Sequence, residues 1–342
     1  MSKNFEVLSG KERILSGMRP TGNLHIGHFW GVLENWRRLQ ENNDCFFMAA
    51  DIHALTTEYE RPDAIAAASI EIVKDWLASG MDPRKSVIFR QSDVTEHSEL
   101  HLLLSMITPL GWLERCPSYK EQLRELAGRD LHTYGFLGYP LLQAADILVY
   151  KATAVPVGED QLPHIELTRE IARRFNSLYA GNKPVFPEPK SIVTPSPKVP
   201  GTDGRKMSKS YGNAIELCDE PPVLKKRVNS MFTDPVKIKI DDKGHPDACV
   251  VFAFNKLLNP SVSASREISC RNGETGCVEC KRELLALLDG LLLPIRDKRK
   301  TIKNSDAADV LSDGAVKARA AAAIVLEEAK RVMGLGSSTL KK

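Results

Sequence analysis

The chain alternates short apolar runs with longer amphipathic ones. Arg13–Ser16 has an apolar centre and leads into Gly17-Met-Arg-Pro-Thr-Gly22, then His25-Ile-Gly-His28 and a helical run from Phe29 to Leu39. This reads as strand, glycine-rich turn, helix. Cys45–Ala50 is a short apolar run ending at Asp51, the pattern of a buried strand. Apolar positions Ile65, Ile70, Ile72, Val73, Trp76 and Leu77 predict an amphipathic helix over Asp63–Ser79, with Gly80 as its stop. Ser86–Arg90 predicts another strand. Strands alternating with helices predict an α/β fold built on a Rossmann-like parallel sheet.

Farther along, Leu100–Arg129 has a helical pattern with breaks at Pro109-Leu-Gly111 and Pro117. Leu141–Val149 is apolar and alanine-rich, Val155–Gly158 follows it, and Ile165–Phe175 predicts a helix. Six prolines between Lys183 and Pro200 predict a loop or linker, where the architecture changes. Beyond Ile215 the pattern is mostly helical, including Val250–Leu258 and a long run, Ala315–Met333, stopped at Gly334. Asn259–Ser265 and Asn272–Thr275 are small and polar, with little to hold themselves in place. The expected division is a catalytic domain with a helical insertion over residues 1–211 and a C-terminal helical domain over 212–342. The most apolar window, Leu284–Ile295, is interrupted by Asp289, Gly290 and Pro294, short of the ~18 apolar residues of a membrane span. Met1–Met18 lacks the apolar core of a signal peptide, so a cytoplasmic location is expected.

Composition narrows the class but not the function. With 42% apolar and 27% charged residues in 342, the chain is neither wholly disordered nor collagen-like nor a coiled coil. Basic residues number 47 and acidic ones 44, so net charge argues nothing about nucleic acid. Seven cysteines, an odd count, speak against a disulfide framework. Four of them, Cys249, Cys270, Cys277 and Cys280, are gathered in one stretch.

Two short motifs carry chemistry. His25-Ile26-Gly27-His28 opens a helix, where unpaired N–H groups and partial positive charge suit phosphate, and Gly27 allows close approach. Alone, it could be a helix start with two surface histidines. Lys206-Met207-Ser208-Lys209-Ser210 follows Gly201-Thr-Asp-Gly204-Arg205. Two lysines three apart on a mobile, glycine-bearing loop can grip a polyphosphate and follow its charge; the plain alternative is a solvated basic loop. Together, in this order, the pair resembles the two signatures of the class I aminoacyl-tRNA synthetases.

Tyr139-Pro-Leu-Leu-Gln143-Ala-Ala-Asp146, then Val155-Pro-Val-Gly158-Glu159-Asp160-Gln161, looks like the amino-acid pocket of the tryptophanyl-tRNA synthetases, and the likeness runs nearly the whole chain, to Gly336. It implies a ligase that activates L-tryptophan with ATP and Mg²⁺ and charges tRNA(Trp), working as a homodimer with a C-terminal anticodon-binding domain. It also implies site residues: His25, His28, Lys206 and Lys209 for catalysis; Arg19, Thr21, Gly27, Lys120, Gly158, Asp160, Met207 and Ser208 for ATP; Tyr139, Gln143, Asp146 and Gln161 for the amino acid. The chemistry is compatible. A carboxylate at Asp146 can accept the indole N–H, and Asp160 can accept ribose hydroxyls. Asp146 could instead be a helix-face carboxylate paired to a nearby base. The common bacterial pattern has Met at the place of Gln143, and another branch has Gln; Gln143 could orient Asp146 or touch the substrate. A tyrosyl enzyme shares both signatures but tends to a doubled glycine near Gly158. A non-catalytic tRNA-binding paralogue would not need both histidines and both lysines. A small-molecule nucleotidyltransferase would leave the C-terminal helices unexplained.

The cysteines are spaced C-x20-C-x6-C-x2-C, which supplies one half of a zinc ribbon and lacks the other. Four cysteine ligands hold zinc or an iron–sulfur cluster. A subset of the resembling family carries a [4Fe-4S] cluster on such a motif, so a cluster is expected at Cys249, Cys270, Cys277 and Cys280, with zinc as the alternative. Arg271, Lys281 and Arg282 flank the ligands and could face RNA.

Overall fold

The computed structural model describes residues 11–125, 128, 130–193 and 199–336. The expected helix end at Arg129, Pro195 and Pro197 of the proline-rich stretch, and the first ten residues lie outside them.

Five parallel strands form one sheet in the order β3-β2-β1-β4-β5. They are β1 (Arg13–Met18), β2 (Asp44–Ala49), β3 (Ser86–Arg90), β4 (Ala154–Val157) and β5 (Lys190–Val193). Register runs Ile14↔Cys45 and Ser16↔Phe47 across β1 and β2, and Phe46↔Val87 across β2 and β3. Alternate side chains enter two cores. Ile14, Phe47, Ala49 and Ile88 face one layer, and Leu15, Phe46, Met48 and Phe89 the other. Burial on both faces explains why β2 reads as an unbroken apolar run.

Between β1 and β2, α1 (Ile26–His28) continues through a π-turn, Phe29–Leu33, into α2 (Glu34–Leu39). Helices α3 (Asp51–Glu58) and α4 (Pro62–Ala78) lead to β3. Gly80 stops the second with a positive φ of 101°, as its position predicts. The insertion holds α5 (Glu96–Ser105), α6 (Leu110–Glu114), α7 (Pro117–Glu125), α8 (Tyr134–Leu137) and α9 (Tyr139–Leu148), broken at both expected places. Helix α10 (Leu162–Phe175) joins β4 to β5. The proline-rich stretch was expected to be loop throughout, yet β5 lies within it. Its four residues sit on a sheet edge, where flanking prolines cost no ladder bond.

Then come α11 (Pro221–Asn229), α12 (Val250–Leu258), α13 (Pro260–Arg271), α14 (Cys277–Thr301) and α15 (Asn304–Val332). The polar stretch at 259–265 is a correction: it begins α13, with Pro260 at the first helical position. Pro294 does not break α14. These helices share the cores of the sheet. Leu284, Leu288, Leu292 and Ile295 of α14 join the layer that holds Ile14 and Phe47. Helix α15 crosses the open edge at β3. Its Ala307 and Leu311 enter one layer and its Ala318, Ala322 and Val325 the other. At the crossing sits Gly314, where a Cβ would fall 1.8 Å from the carbonyl oxygen of Ile88. None of the described helices is long and apolar enough to cross a membrane.

Candidate active site

A cavity of about 550 Å³ opens at the carboxyl ends of β1 and β4, where the strand order reverses. That is where open α/β sheets bind ligands. Arg19, His28, Tyr139, Gln143, Asp146, Gly158, Asp160 and Gln161 line it, so eight of the sequence-derived positions come together.

Asp146 is fully buried at its floor. Its Oδ1 accepts from His97 Nδ1 at 2.7 Å and Gln91 Nε2 at 2.9 Å; its Oδ2 accepts from His53 Nε2 at 2.9 Å and Gln91 Nε2 at 3.0 Å. Burial opposes ionisation, but the charge of His97 and the bonds from His53 and His97 outweigh it and hold the carboxyl at about 2. The pairing to nearby bases is therefore real, and it leaves the carboxylate facing the cavity. Of its three donors only His53 also lines the cavity. Gln143 lines it too but is not among the donors, so orienting Asp146 falls to His53, Gln91 and His97.

Tyr139 has its own support. Its hydroxyl lies 2.8 Å from Ser118 Oγ, which lies 2.7 Å from Nε2 of His164. Burial pushes the phenol up to about 12 and His164 down to about 4, so both are neutral at pH 7. Also lining the cavity, a Cβ on Gly158 would meet Asp160 Oδ1 at 2.6 Å, so a side chain there would push that exposed carboxylate out of its present position. Gln161 Nε2 donates to the other oxygen of Asp160 at 2.9 Å.

The first signature turn lies beside the cavity. The rings of His25 and His28 are 3.8 Å apart, and His28 Nδ1 accepts the His25 backbone N–H at 3.1 Å. Burial, then Lys209, holds His25 at about 4; burial, then His25 and Lys209, holds His28 at about 3. Both rings are therefore neutral hydrogen-bonding groups at pH 7. Lys209 reaches this turn, its Nζ donating to Thr21 C=O at 3.2 Å, while burial lowers its own pKa. Met207 is buried, with its sulfur toward Gly27.

Other positions stand apart. Lys206 is exposed and does not line the cavity; neither does Lys120, in α7, although Gln122 of that helix does. The loop is also less free than its glycines suggest. Buried Asn213 accepts Ser208 N–H at 2.8 Å and donates to Asp203 and to Lys206 C=O. Nothing in the local sequence marks His53, Gln91, His97, Ser118 or His164, because each acts on a residue from another element, and Asn213 is unmarked because its partners lie five to ten residues back in the loop.

The four cysteines line one small cavity between α12, α13 and the start of α14, together with Lys237 and Arg266. Burial raises the thiols of Cys249, Cys270 and Cys280, the last to about 11. Among the described residues no group of three or more His, Cys, Asp or Glu side chains is gathered to hold a metal ion as it stands. Arg271 is paired with Asp247 and Glu267, and Lys281 donates to Asn229 C=O at 2.7 Å; both partnerships are exposed and weak.

Residues 9–292 match the family model for class I tRNA synthetases (W and Y), and the chain belongs to that family. A tryptophan–tRNA ligase of Thermotoga maritima is 51% identical over 94% of this chain and 99% of its own. One from Aquifex aeolicus is 44% identical over 94% and 100%. The tryptophanyl-tRNA synthetase of Campylobacter jejuni, solved with ADP and tryptophan, superposes with a TM-score of 0.84 at 34% identity, covering 94% of this chain and all of that one. Within the family, the chain falls with the tryptophan–tRNA ligases.

Proposed function

We propose that this cavity activates L-tryptophan with ATP and passes the product to tRNA(Trp). The observation that carries the amino-acid choice is Asp146: a buried, ionised carboxylate lining the cavity and able to accept the N–H of an indole ring. In the first step the tryptophan carboxylate attacks the α-phosphorus of ATP and pyrophosphate leaves. The nucleophile is the substrate's own, so the chain's task is positioning and charge stabilisation. Tyr139 and Gln161 hold the α-amino group. Gly158 and Asp160 take the ribose, with Arg19, Thr21, Gly27, Met207, Ser208 and Lys120 around the nucleotide. His25 and His28, as neutral donors, and Lys206 and Lys209, as cations, meet the charge that develops on the phosphates. In the second step the tryptophanyl group moves to a ribose hydroxyl at the end of the tRNA. Mg²⁺, when bound with the nucleotide, would supply further positive charge to the phosphates.

The boundary between catalytic and anticodon-binding parts falls at residues 211–212, and two chains form the working dimer in the cytoplasm. Cys249, Cys270, Cys277 and Cys280 would hold a [4Fe-4S] cluster. Its fit rests on four thiols around one cavity; Lys237, whose ammonium donates to the Ile240 and Asp242 carbonyls, adds positive charge there, while Arg266 is paired with Glu283. When bound, the cluster supplies structural constraint, since binding energy at such sites is also folding energy. The chain's own part is to present Arg282 and its neighbours to the tRNA.

Amino-acid-dependent pyrophosphate exchange across the standard amino acids tests the activity; a preference for tyrosine would replace this reading. Protein purified without oxygen is expected to be brown, with iron and sulfide in equal amounts. Colourless protein with stoichiometric zinc would replace the cluster. Gentle removal of the metal should weaken tRNA recognition and spare adenylate formation.

A further inference from the structure

The backbone on either side of His25 is clamped. Leu24 C=O accepts Leu217 N–H at 2.9 Å, and Ile26 N–H donates to Ile215 C=O at 2.9 Å. Those are main-chain bonds that many sequences could make. The third clamp is a side chain: Leu24 N–H donates to Asp75 Oδ2 at 3.0 Å. Asp75 sits in the last turn of α4 and is wholly inaccessible to solvent. Burial raises its carboxyl pKa, opposed by the bond from Leu24 and by Arg299. Arg299, from the last turn of α14, donates its Nε to Asp75 Oδ1 at 2.6 Å and binds Glu71 with a second nitrogen. One turn earlier, buried Arg296 donates to Asp219 C=O at 3.1 Å. The carboxylate of Asp219 accepts Glu216 N–H at 2.9 Å, and Glu216 bridges His25. Two arginines of α14 thus reach both flanks of the signature turn.

We propose that Asp75 and Arg299 are positioning residues for adenylate formation. They fix the main chain at Leu24 so that His25 and His28 stay in register with the phosphates. The inference rests on the assignment of those histidines to the nucleotide. Nothing about Asp75 requires an acid there for stability alone. A buried ion pair is seldom worth more than apolar packing. This one spends its second oxygen on the single backbone amide before the motif. A small displacement of a reacting group, about 1 Å, costs on the order of a hundredfold in rate.

The test compares Asp75→Asn, Arg299→Leu, Arg299→Lys and Glu71→Gln in the full chain. It measures adenylate formed per active site by burst titration, the KM for ATP, tryptophan binding by equilibrium dialysis, and Tm. Asp75→Asn and Arg299→Leu should lower the rate per site roughly ten- to a hundredfold, with tryptophan binding within about twofold. Arg299→Lys, which keeps the charge beside Asp75, should recover most of that rate. Glu71→Gln touches the pair from its exposed side and should lower Tm while leaving the rate per site unchanged. A wild-type rate per site in Asp75→Asn overturns the proposal, as does an equal loss in Glu71→Gln. If Arg299→Leu does not fold, the other three variants decide. Failure of the parent reading would look different: the unaltered protein would show no tryptophan-dependent exchange.

Discussion

Asp146→Asn is the sharpest perturbation of the amino-acid pocket. The amide keeps the shape of the carboxylate but removes its charge and turns one acceptor into a donor. In the native site three groups, His53, Gln91 and His97, already donate to the two oxygens at 2.7–3.0 Å, and the Gln91 amide nitrogen lies within reach of both, which leaves one of the carboxylate's roughly four lone-pair sites for the substrate. The atom that becomes NH2 no longer accepts, so the histidine facing it must either switch tautomer or lose its partner. An orphaned buried donor costs about 1–3 kcal/mol, so a lower Tm is expected. The substrate effect is separable from it. A hydrogen bond from the indole N–H to a charged acceptor is worth about 1.5–3 kcal/mol, or roughly ten- to 150-fold in kcat/KM for tryptophan. Phenylalanine offers no such donor and loses only what packing costs. Sites built around one hydrogen bond can reject analogues lacking it by ~10⁴–10⁵, and the variant should narrow that gap. The assay is pyrophosphate exchange with each amino acid, normalised to active sites. Because the carboxyl sits at about 2, it is ionised above that pH, and discrimination by the unaltered protein should not titrate with it between pH 5 and 9. Equal losses on tryptophan and phenylalanine would refute the reasoning and leave Asp146 a purely structural anchor for the two histidines.

Three further outcomes are expected. Lys206→Ala and Lys209→Ala should each slow adenylate formation by about a hundredfold or more, as for loss of a transition-state donor, with tryptophan affinity little changed; near-normal exchange in both would remove the loop from the mechanism. Buried His164 has its pKa lowered from 6.5 to about 4, so the unfolded chain takes up its proton first on acidification. Stability should therefore fall as pH drops from 6.5 towards 4, by at most about 3 kcal/mol from this group, and denaturant titrations of His164→Gln should show a shallower pH dependence. Gly314→Ala places a methyl group against the Ile88 carbonyl and should cost at least about 1–3 kcal/mol, read as a lower Tm with an unchanged rate per folded site.

Most of the sheet was legible because a strand buried on both faces has a signature in its own residues. Cys45–Ala50 and Ser86–Arg90 needed no knowledge of their neighbours. Strand β5 was hidden because a four-residue edge strand between prolines has too few residues to show a period. Helix α13 was hidden for a related reason. None of its residues is buried, so no apolar stripe exists to be read. The site divides the same way. The residues that meet a ligand lie in contiguous motifs. The residues that hold them, His53, Gln91 and His97 on Asp146 or Ser118 and His164 on Tyr139, come from separate elements and carry no mark of their task.

The path of α15 over the sheet bears on how the protein is made. A ribosome delivers β3 early, and β3 is an edge, with unpaired main-chain groups that invite another strand. Its cover arrives only when Gly314 and the alanines after it have been synthesised, more than two hundred residues later. At the usual pace of translation that is roughly 10–45 s, during which the nascent sheet has an open side. A pause or a premature stop anywhere in that interval leaves a nearly complete catalytic half with a sticky margin. The chain's last long helix thus works as a latch on its first hundred residues, and quality control in the cell should see truncated forms as aggregation-prone rather than as weakened enzymes.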